Sequence, residues 1–158
     1  MKRWYFYAAI GLVFGIFDWF YLHWLTHIQW GALRGSPLVI LLTILLNYGI
    51  WLVLIIPVVT VAARQRQKAR DPIGVGILTW IFALVGYYAY YWALLSLGKL
   101  PNLGYLDIFG ENFARYQLQY WRMVRRVIVY QFLEWSLIAI IGGGVIGALA
   151  WWIFRKKK

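Results

Sequence analysis

The chain has 158 residues, of which 63% are apolar and 13% charged, and its formal net charge is +11. Soluble domains contain about 45–50% apolar and about 25% charged residues, and a chain this short has too little interior to bury the apolar excess. The composition therefore excludes an ordinary soluble domain. The absence of cysteine excludes disulfides, thiolate metal sites and cysteine nucleophiles.

The distribution of basic residues argues against a nucleic-acid-binding protein. Lys and Arg lie at the chain ends and between apolar runs, which is how membrane proteins place them. The 11 Trp and 12 Tyr agree with this interpretation, because such rings collect at headgroup depth. The expected partners are membrane lipids and either a second copy of the chain or a larger membrane complex, with no nucleic acid.

Four apolar runs are long enough to cross a bilayer core, which requires about 20 residues per helix. They cover about residues 4–25, 37–63, 73–97 and 127–154. None of them alternates polar and apolar residues as barrel strands do. The predicted fold class is all-α, with residues 1–158 forming a single polytopic membrane domain of four transmembrane helices.

The Lys and Arg counts predict the orientation of these helices. With the N-terminus inside, ten basic residues are cytoplasmic and six are on the outer side, as the positive-inside rule requires. We therefore expect a multi-pass protein of the cell membrane with cytoplasmic N- and C-termini. Arg122, Arg125 and Arg126 count among the outer six, and a re-entrant third run would instead place them in the cytoplasm.

The first run follows Met1-Lys2-Arg3, which gives it the outline of a signal peptide. It contains Asp18 and lacks an Ala-x-Ala site, so we expect a retained helix. Gly11 and Gly15 form a Gly-x-x-x-Gly pair, a pattern typical of close helix packing in membranes. Asp18 shares their face and is expected to point toward protein.

The second run begins at Pro37, a favourable residue for a helix start, and a tilt or a bend is expected near Pro57. Thr43 and Asn47 lie one turn apart in its outer half. In the third run, Tyr87 and Tyr91 share a face of the outer half.

The long connection before the fourth run is predicted to contain an interfacial helix. Over about residues 108–126, apolar residues fall near one helical face, while Arg115, Gln119 and Arg122 lie mostly on another. This pattern is typical of an amphipathic helix on a membrane surface. We expect it on the outer surface.

The fourth run contains a second packing pair, Gly143 and Gly147. The triplet at residues 142–144 predicts a close helix crossing. Counted from the outer end of the fourth run, Glu134 lies at roughly the same depth as Asp18 does in the first run.

All four runs thus bring polar groups to one layer in the outer half of the predicted bundle. The layer comprises Asp18, Thr43, Asn47, Tyr87, Tyr91 and Glu134, with Arg122, Arg125 and Arg126 above it. Ionisable residues inside membrane helices are by default functional hypotheses.

Three uses of this polar layer remain open. In the first, the acids pair with the arginines and stabilise the bundle. In the second, the acids and the basic amphipathic segment above them bind a lipid headgroup. In the third, Asp18 and Glu134 conduct protons or cations. The inner half supplies no ionisable residue to continue such a path. We predict a non-catalytic accessory or scaffold subunit, or a headgroup binder. A small cation-coupled transporter and an intramembrane lipid-modifying enzyme are the alternatives.

His23 and His27 stand one turn apart and are weak candidates for a metal pair. Asp18 lies about 140° or more from either on a helical wheel, and no other run offers a third ligand. We expect no metal and no other cofactor. None of the common catalytic motifs occurs, so no catalytic residue is assigned.

Overall fold

The computed structural model describes residues 2–27, 37–65, 68–97 and 128–155. This part of the chain forms four α-helices: α1 (Lys2–His27), α2 (Pro37–Gln65), α3 (Arg70–Ser96) and α4 (Gln131–Arg155). All four are long and apolar enough to cross a membrane, and none of the described residues forms a strand. For these described residues, the predicted all-α fold class with four long apolar helices is confirmed. The predicted amphipathic segment at about 108–126 lies outside the described residues.

The helix ends follow from local chemistry. Pro37 begins α2, and the helix continues through Pro57 to Gln65. Asp71 occupies the first turn of α3, where a negative charge is favourable beside the free N–H groups of the helix start. The amide of Leu97 donates to the carbonyl of Ala93 at 3.1 Å and ends α3 with a turn.

Helix α3 is the central element, because α1, α2 and α4 all pack against it. The core draws fully buried side chains from different helices, including Ile55 of α2, Leu84 of α3 and Ala139 of α4. Trp80 of α3 stacks on Trp51 of α2 with ring centroids 5.8 Å apart. Helix α3 is therefore the common neighbour of the other three, and α2 also packs against α4.

Glycines allow α1 and α3 to cross with their backbones in contact. A Cβ atom added to Gly15 would overlap the carbonyl oxygen of Ala83 and lie 2.7 Å from the amide nitrogen of Tyr87. A Cβ on Gly86 would likewise overlap the backbone of Leu12. Gly11 meets the carbonyl of Thr79 in the same way, so the crossing depends on the absence of side chains.

A second glycine crossing joins α3 to α4. A Cβ on Gly143 would lie 2.8 Å from the carbonyl carbon of Gly76, and one on Gly147 would lie 2.6 Å from the Cα of Ile73. The neighbours of Gly143 differ from it: Gly142 faces the ring of Trp80, whereas Gly144 meets only the side-chain end of Ile77 at 3.8 Å. The close crossing predicted for the triplet thus rests on Gly143.

The four helices bring basic residues to one end of the bundle. The ring of Trp4 lies against Gly74, and the guanidinium of Arg64 lies 4.8 Å from the ring centroid of Phe154. The start of α1, the end of α2, the start of α3 and the end of α4 therefore share this end. Its described basic residues beyond α1 are Arg64, Lys68, Arg70 and Arg155. We call it the basic end.

The opposite end has a different composition. In the described stretches 21–27, 37–50, 90–97 and 128–137 there is no Lys or Arg. Every basic residue that the structure describes, including Lys2 and Arg3 at the start of α1, belongs to the basic end. The charge of the described bundle is therefore strongly asymmetric along its axis.

Candidate functional site

Asp18 is the only acidic side chain buried among the described residues. It is 1% exposed, and neither carboxylate oxygen has a hydrogen-bond partner in the described part of the protein. The prediction that Asp18 points toward protein agrees with this burial. A carboxyl group in such a position is unusual, because buried charges are normally paired or bound to a cation.

The contacts of its neighbours on α1 locate the Asp18 side chain. Phe14 contacts Trp51 of α2 at a centroid distance of 5.7 Å, while Gly15 lies against α3. At about 100° per residue, Asp18 lies about 40° from Phe14 on one side and about 60° from Gly15 on the other. The carboxyl group therefore faces the junction of α1, α2 and α3.

Tyr21 holds α1 to α2 one turn beyond Asp18. Its hydroxyl donates a hydrogen bond of 3.0 Å to the backbone carbonyl oxygen of Leu46. This bond uses the tyrosine proton, and Asp18 does not receive it. Positions three residues apart on a helix are neighbours, so Asp18 lies beside a hydroxyl that is already committed to another acceptor.

Aromatic rings from three helices surround this junction. Trp19 stacks on Tyr91 with centroids 5.2 Å apart and also contacts Tyr87 at 5.6 Å. The stacked pair Trp51 and Trp80 lies nearer the basic end, and Phe14 joins it to α1. We call these six residues, Phe14, Trp19, Trp51, Trp80, Tyr87 and Tyr91, the aromatic cluster.

Three tryptophans of this cluster depart from the expectation that such rings collect at headgroup depth. Trp19, Trp51 and Trp80 are buried inside the bundle. Their position near the middle of the apolar runs was the signal in the sequence, because an interfacial ring belongs at a helix end. The exposed Trp24 and Trp92, by contrast, do lie near helix ends.

The predicted polar layer is only partly assembled in the described residues. Tyr87 and Tyr91 are buried on α3 and both contact Trp19 beside Asp18. Thr43 and Asn47 lie on α2, but their side chains are outside the described part. The same is true of Arg122, Arg125 and Arg126, which lie in the undescribed connection.

Glu134 occupies a different environment from Asp18. It lies in the first turn of α4 and its side chain is exposed, next to the exposed Leu133 and Leu137. Asp18 has no hydrogen bond to it. The two acids that the sequence places at one depth thus have different environments, buried for Asp18 and exposed for Glu134.

Other buried polar atoms lie along α3 and α4. Within the described residues, the hydroxyls of Thr79 and Ser136 and the indole Nε1 of Trp80 have no hydrogen-bond partner. Thr79 is fully buried. These groups were absent from the predicted layer, because hydroxyls and indoles are common in apolar helices and carry no distinctive spacing.

The weak metal candidates His23 and His27 lie in the last turns of α1, with side chains outside the described part. Among the residues that the structure describes, no group of three or more His, Cys, Asp or Glu is arranged to hold a metal ion.

Comparisons with family models, with curated proteins and with solved structures returned no match. The function is therefore argued from the geometry of the bundle, in which a single buried carboxyl group lies at a three-helix junction lined by aromatic rings.

Proposed function

We propose that this protein is a multi-pass membrane protein that acts without catalysis, as a scaffold or accessory subunit of the membrane. The observation that carries the proposal is the outer surface of the helices. Phe17 of α1, Val53 of α2 and Ile141 of α4 are 53%, 67% and 67% exposed. A surface of this composition is unfavourable in water and favourable against lipid.

The spacing of exposed aromatic residues supports a transmembrane position. Trp4 and Trp24 are both exposed on α1 and lie about 30 Å apart along the helix axis, since each residue adds about 1.5 Å. The exposed Tyr130, just before α4, and Trp152, near its end, lie about 33 Å apart along the helix axis. The hydrocarbon core of a bilayer is about 30 Å thick, so both pairs fit rings at the two interfaces.

The basic end supports a cytoplasmic position for both termini. Positively charged residues are retained on the cytoplasmic side of membrane proteins. Arg64 lies over the ring of Phe154 and Arg155 lies 4.9 Å from the ring centroid of Trp151, an arrangement that keeps each charge at the end of its helix. In this orientation residues 108–126 belong to the outer surface, where we propose the amphipathic helix.

The packing of the interior favours a scaffold over a headgroup binder. The aromatic cluster supplies two sets of contacting rings at the junction beside Asp18: Phe14, Trp51 and Trp80 form one, and Trp19, Tyr87 and Tyr91 form the other. Two glycine crossings hold α3 between α1 and α4. Interlocked backbones of this kind suit a rigid element that presents its outer faces to other membrane components. A lipid-modifying enzyme has no support from any described pair of groups.

The orientation is tested with single cysteines, which the chain lacks naturally. Lys68→Cys is placed at the basic end and Leu97→Cys at the opposite end, both at exposed positions. In intact cells, a membrane-impermeant maleimide is expected to label Leu97→Cys alone, and to label both variants after permeabilisation. Labelling of Lys68→Cys alone in intact cells would show the opposite orientation. Labelling of both variants in intact cells would contradict membrane insertion.

The accessory role is tested by native mass spectrometry of the gently extracted protein. We expect a second copy or another membrane chain to remain bound, in both the wild type and Asp18→Asn. A lipid that is retained by the wild type and lost from Asp18→Asn supports the headgroup binder instead. A bare monomer in both samples contradicts both functions.

Cation-coupled transport is a second candidate function, favoured by the burial of Asp18. Because Glu134 is exposed, Asp18 is the described acid on which such a transporter would depend. In proteoliposomes, a cation flux that Asp18→Asn abolishes and Glu134→Gln leaves intact establishes transport. The absence of flux in the wild type removes this candidate.

A further inference from the structure

The buried carboxyl group of Asp18 requires a positive charge that the described protein does not supply. Its two oxygens are buried and have no hydrogen-bond partner among the described residues. An ionised carboxylate is strongly unfavourable in an apolar interior unless a cation or several hydrogen bonds offset the loss of water. Neither compensation comes from the described neighbours.

The described groups around Asp18 come from α1, α2 and α3. Tyr21 of α1 already donates its proton to Leu46 of α2. Helix α3 contributes the rings of Tyr87 and Tyr91, which contact Trp19, and α2 contributes the ring of Trp51. None of these side chains is positively charged.

The basic residues described by the structure are far away along the helix axes. Arg3 precedes Asp18 by fifteen positions on α1, which corresponds to about 22 Å. On α3, Asp18 lies near the level of Tyr87, because Gly15 contacts the amide of that residue. Arg70 is then about 25 Å away. Direct pairing with the basic end is excluded by these distances.

We infer that Asp18 is a binding site for a monovalent cation, either a proton or an alkali-metal ion, at the junction of α1, α2 and α3. A divalent ion fits poorly, since its second positive charge would need a second carboxylate and no other acidic side chain is buried in the described residues. The π faces of the surrounding rings are compatible with a positive charge.

This site goes beyond the proposed function and holds for a scaffold as well as for a transporter. In a scaffold the cation completes the packing of the junction. In a transporter the same cation would be the coupling ion. The inference depends on the burial of Asp18 and not on the orientation in the membrane, so the two proposals fail independently.

The first experiment isolates Asp18 spectroscopically. The chain contains three aspartates, Asp18, Asp71 and Asp107, so the variant Asp71→Asn/Asp107→Asn retains Asp18 as its only aspartate. Aspartate labelled with ¹³C in the side-chain carboxyl group then gives one infrared band, which reports the protonation state of Asp18. This design leaves Asp18 intact and does not require a variant at the buried position to fold.

The second experiment compares the thermal stability of the purified protein in sodium, potassium and choline chloride at equal ionic strength. Asp18→Asn is the test variant and Glu134→Gln is the matched control with an exposed acid. A neutral-carboxyl band with no dependence on the salt cation identifies the proton. A carboxylate band with stabilisation by sodium or potassium, lost in Asp18→Asn and kept in Glu134→Gln, identifies the alkali ion.

One combination of results overturns the inference. A carboxylate band in a protein whose stability is equal in all three salts means that Asp18 is ionised without a bound monovalent cation. A basic side chain would then neutralise it. Comparison of the single-cysteine variants is unaffected by this outcome, so the membrane topology would stand.

Discussion

Helix α3 has two glycine-built faces that differ in what they enclose. On the face toward α1, Gly86 of α3 and Gly11 and Gly15 of α1 allow backbone contact, and Asp18 is buried just beyond the crossing. On the face toward α4, Gly76 of α3 and Gly143 and Gly147 of α4 allow similar contact, but the acid of α4, Glu134, is exposed. Small residues one turn apart produce both crossings, and they do not determine whether a nearby acid is buried.

The difference follows from the angular position of each acid on its helix. Asp18 lies between the residues of α1 that face α2 and those that face α3. Glu134 lies on the side of α4 that also carries the exposed Leu137 and Ile141. The carboxyl group of Glu134 is therefore exposed among outward-facing apolar residues, whereas that of Asp18 is enclosed at a three-helix junction.

The largest expected loss of stability comes from adding a side chain where the backbones of α1 and α3 cross. The Cβ of Gly15→Ala would overlap the carbonyl oxygen of Ala83, and backbone cannot move aside as a flexible side chain can. We expect a loss of about 3 kcal/mol or more in the free energy of unfolding, at the upper end of the range for overpacking. Thermal unfolding of the detergent-solubilised protein measures it.

The matched control is Gly49→Ala on α2, where an added Cβ meets no atom within 4 Å. Alanine is favoured over glycine in a helix by about 1 kcal/mol, so this variant is expected to be as stable as the wild type or more stable. Equal destabilisation by the two variants would contradict the close crossing.

A smaller effect is expected on the α4 side of α3. The Cβ of Gly147→Ala would lie 2.6 Å from the Cα of Ile73, and we expect a loss of about 2 kcal/mol. Gly144→Ala serves as the control on the same helix, because its nearest contact is a side-chain end at 3.8 Å. If Gly144→Ala is the more damaging change, the assignment of the packing face of α4 is wrong.

A smaller loss of stability is expected when the hydrogen bond between α1 and α2 is removed. Tyr21→Phe removes the hydrogen bond to the carbonyl of Leu46, and polar contacts between membrane helices contribute about 0.6 kcal/mol on average. We expect the midpoint of thermal unfolding to fall slightly. The exposed Tyr5 provides the control variant Tyr5→Phe, which should leave the midpoint unchanged.

The smallest effect is expected for Glu134→Gln. An exposed side chain without a described partner changes stability by about 0.5 kcal/mol or less. A loss well above that value, measured by the same thermal unfolding, would mean that Glu134 pairs with a group in the undescribed connection. The two acids would then resemble each other more than the described residues indicate.

Much of the architecture could be predicted, because an apolar run of about 20 residues or more is compatible with few structures other than a long helix. Each run predicted from residues 4–25, 37–63, 73–97 and 127–154 coincides with a helix in the described structure. The Gly-x-x-x-Gly pairs identified residues at which α1 and α4 lie against a neighbour. Neither pattern revealed that α3 is the common partner, because its own Gly76 and Gly86 lack that spacing.

The candidate site was harder to predict, since it depends on how the helices are rotated about their axes. Sequence position gives depth along a helix, and depth alone placed Asp18 and Glu134 together. The rotation of each helix buries Asp18 and exposes Glu134. The aromatic cluster was missed for a related reason: Trp19, Trp51 and Trp80 come from three helices and join one core only when α1 and α2 pack against α3.

The sequence by itself determined the helical class, the four long apolar helices and the segregation of charge, because these depend on the composition of continuous segments and on the backbone's need for hydrogen bonds in an apolar environment. Only the tertiary structure decided which polar groups are enclosed. Burial depends on contacts between helices distant in the chain, and for Asp18 those contacts leave a carboxyl group at the junction of three helices with no described partner.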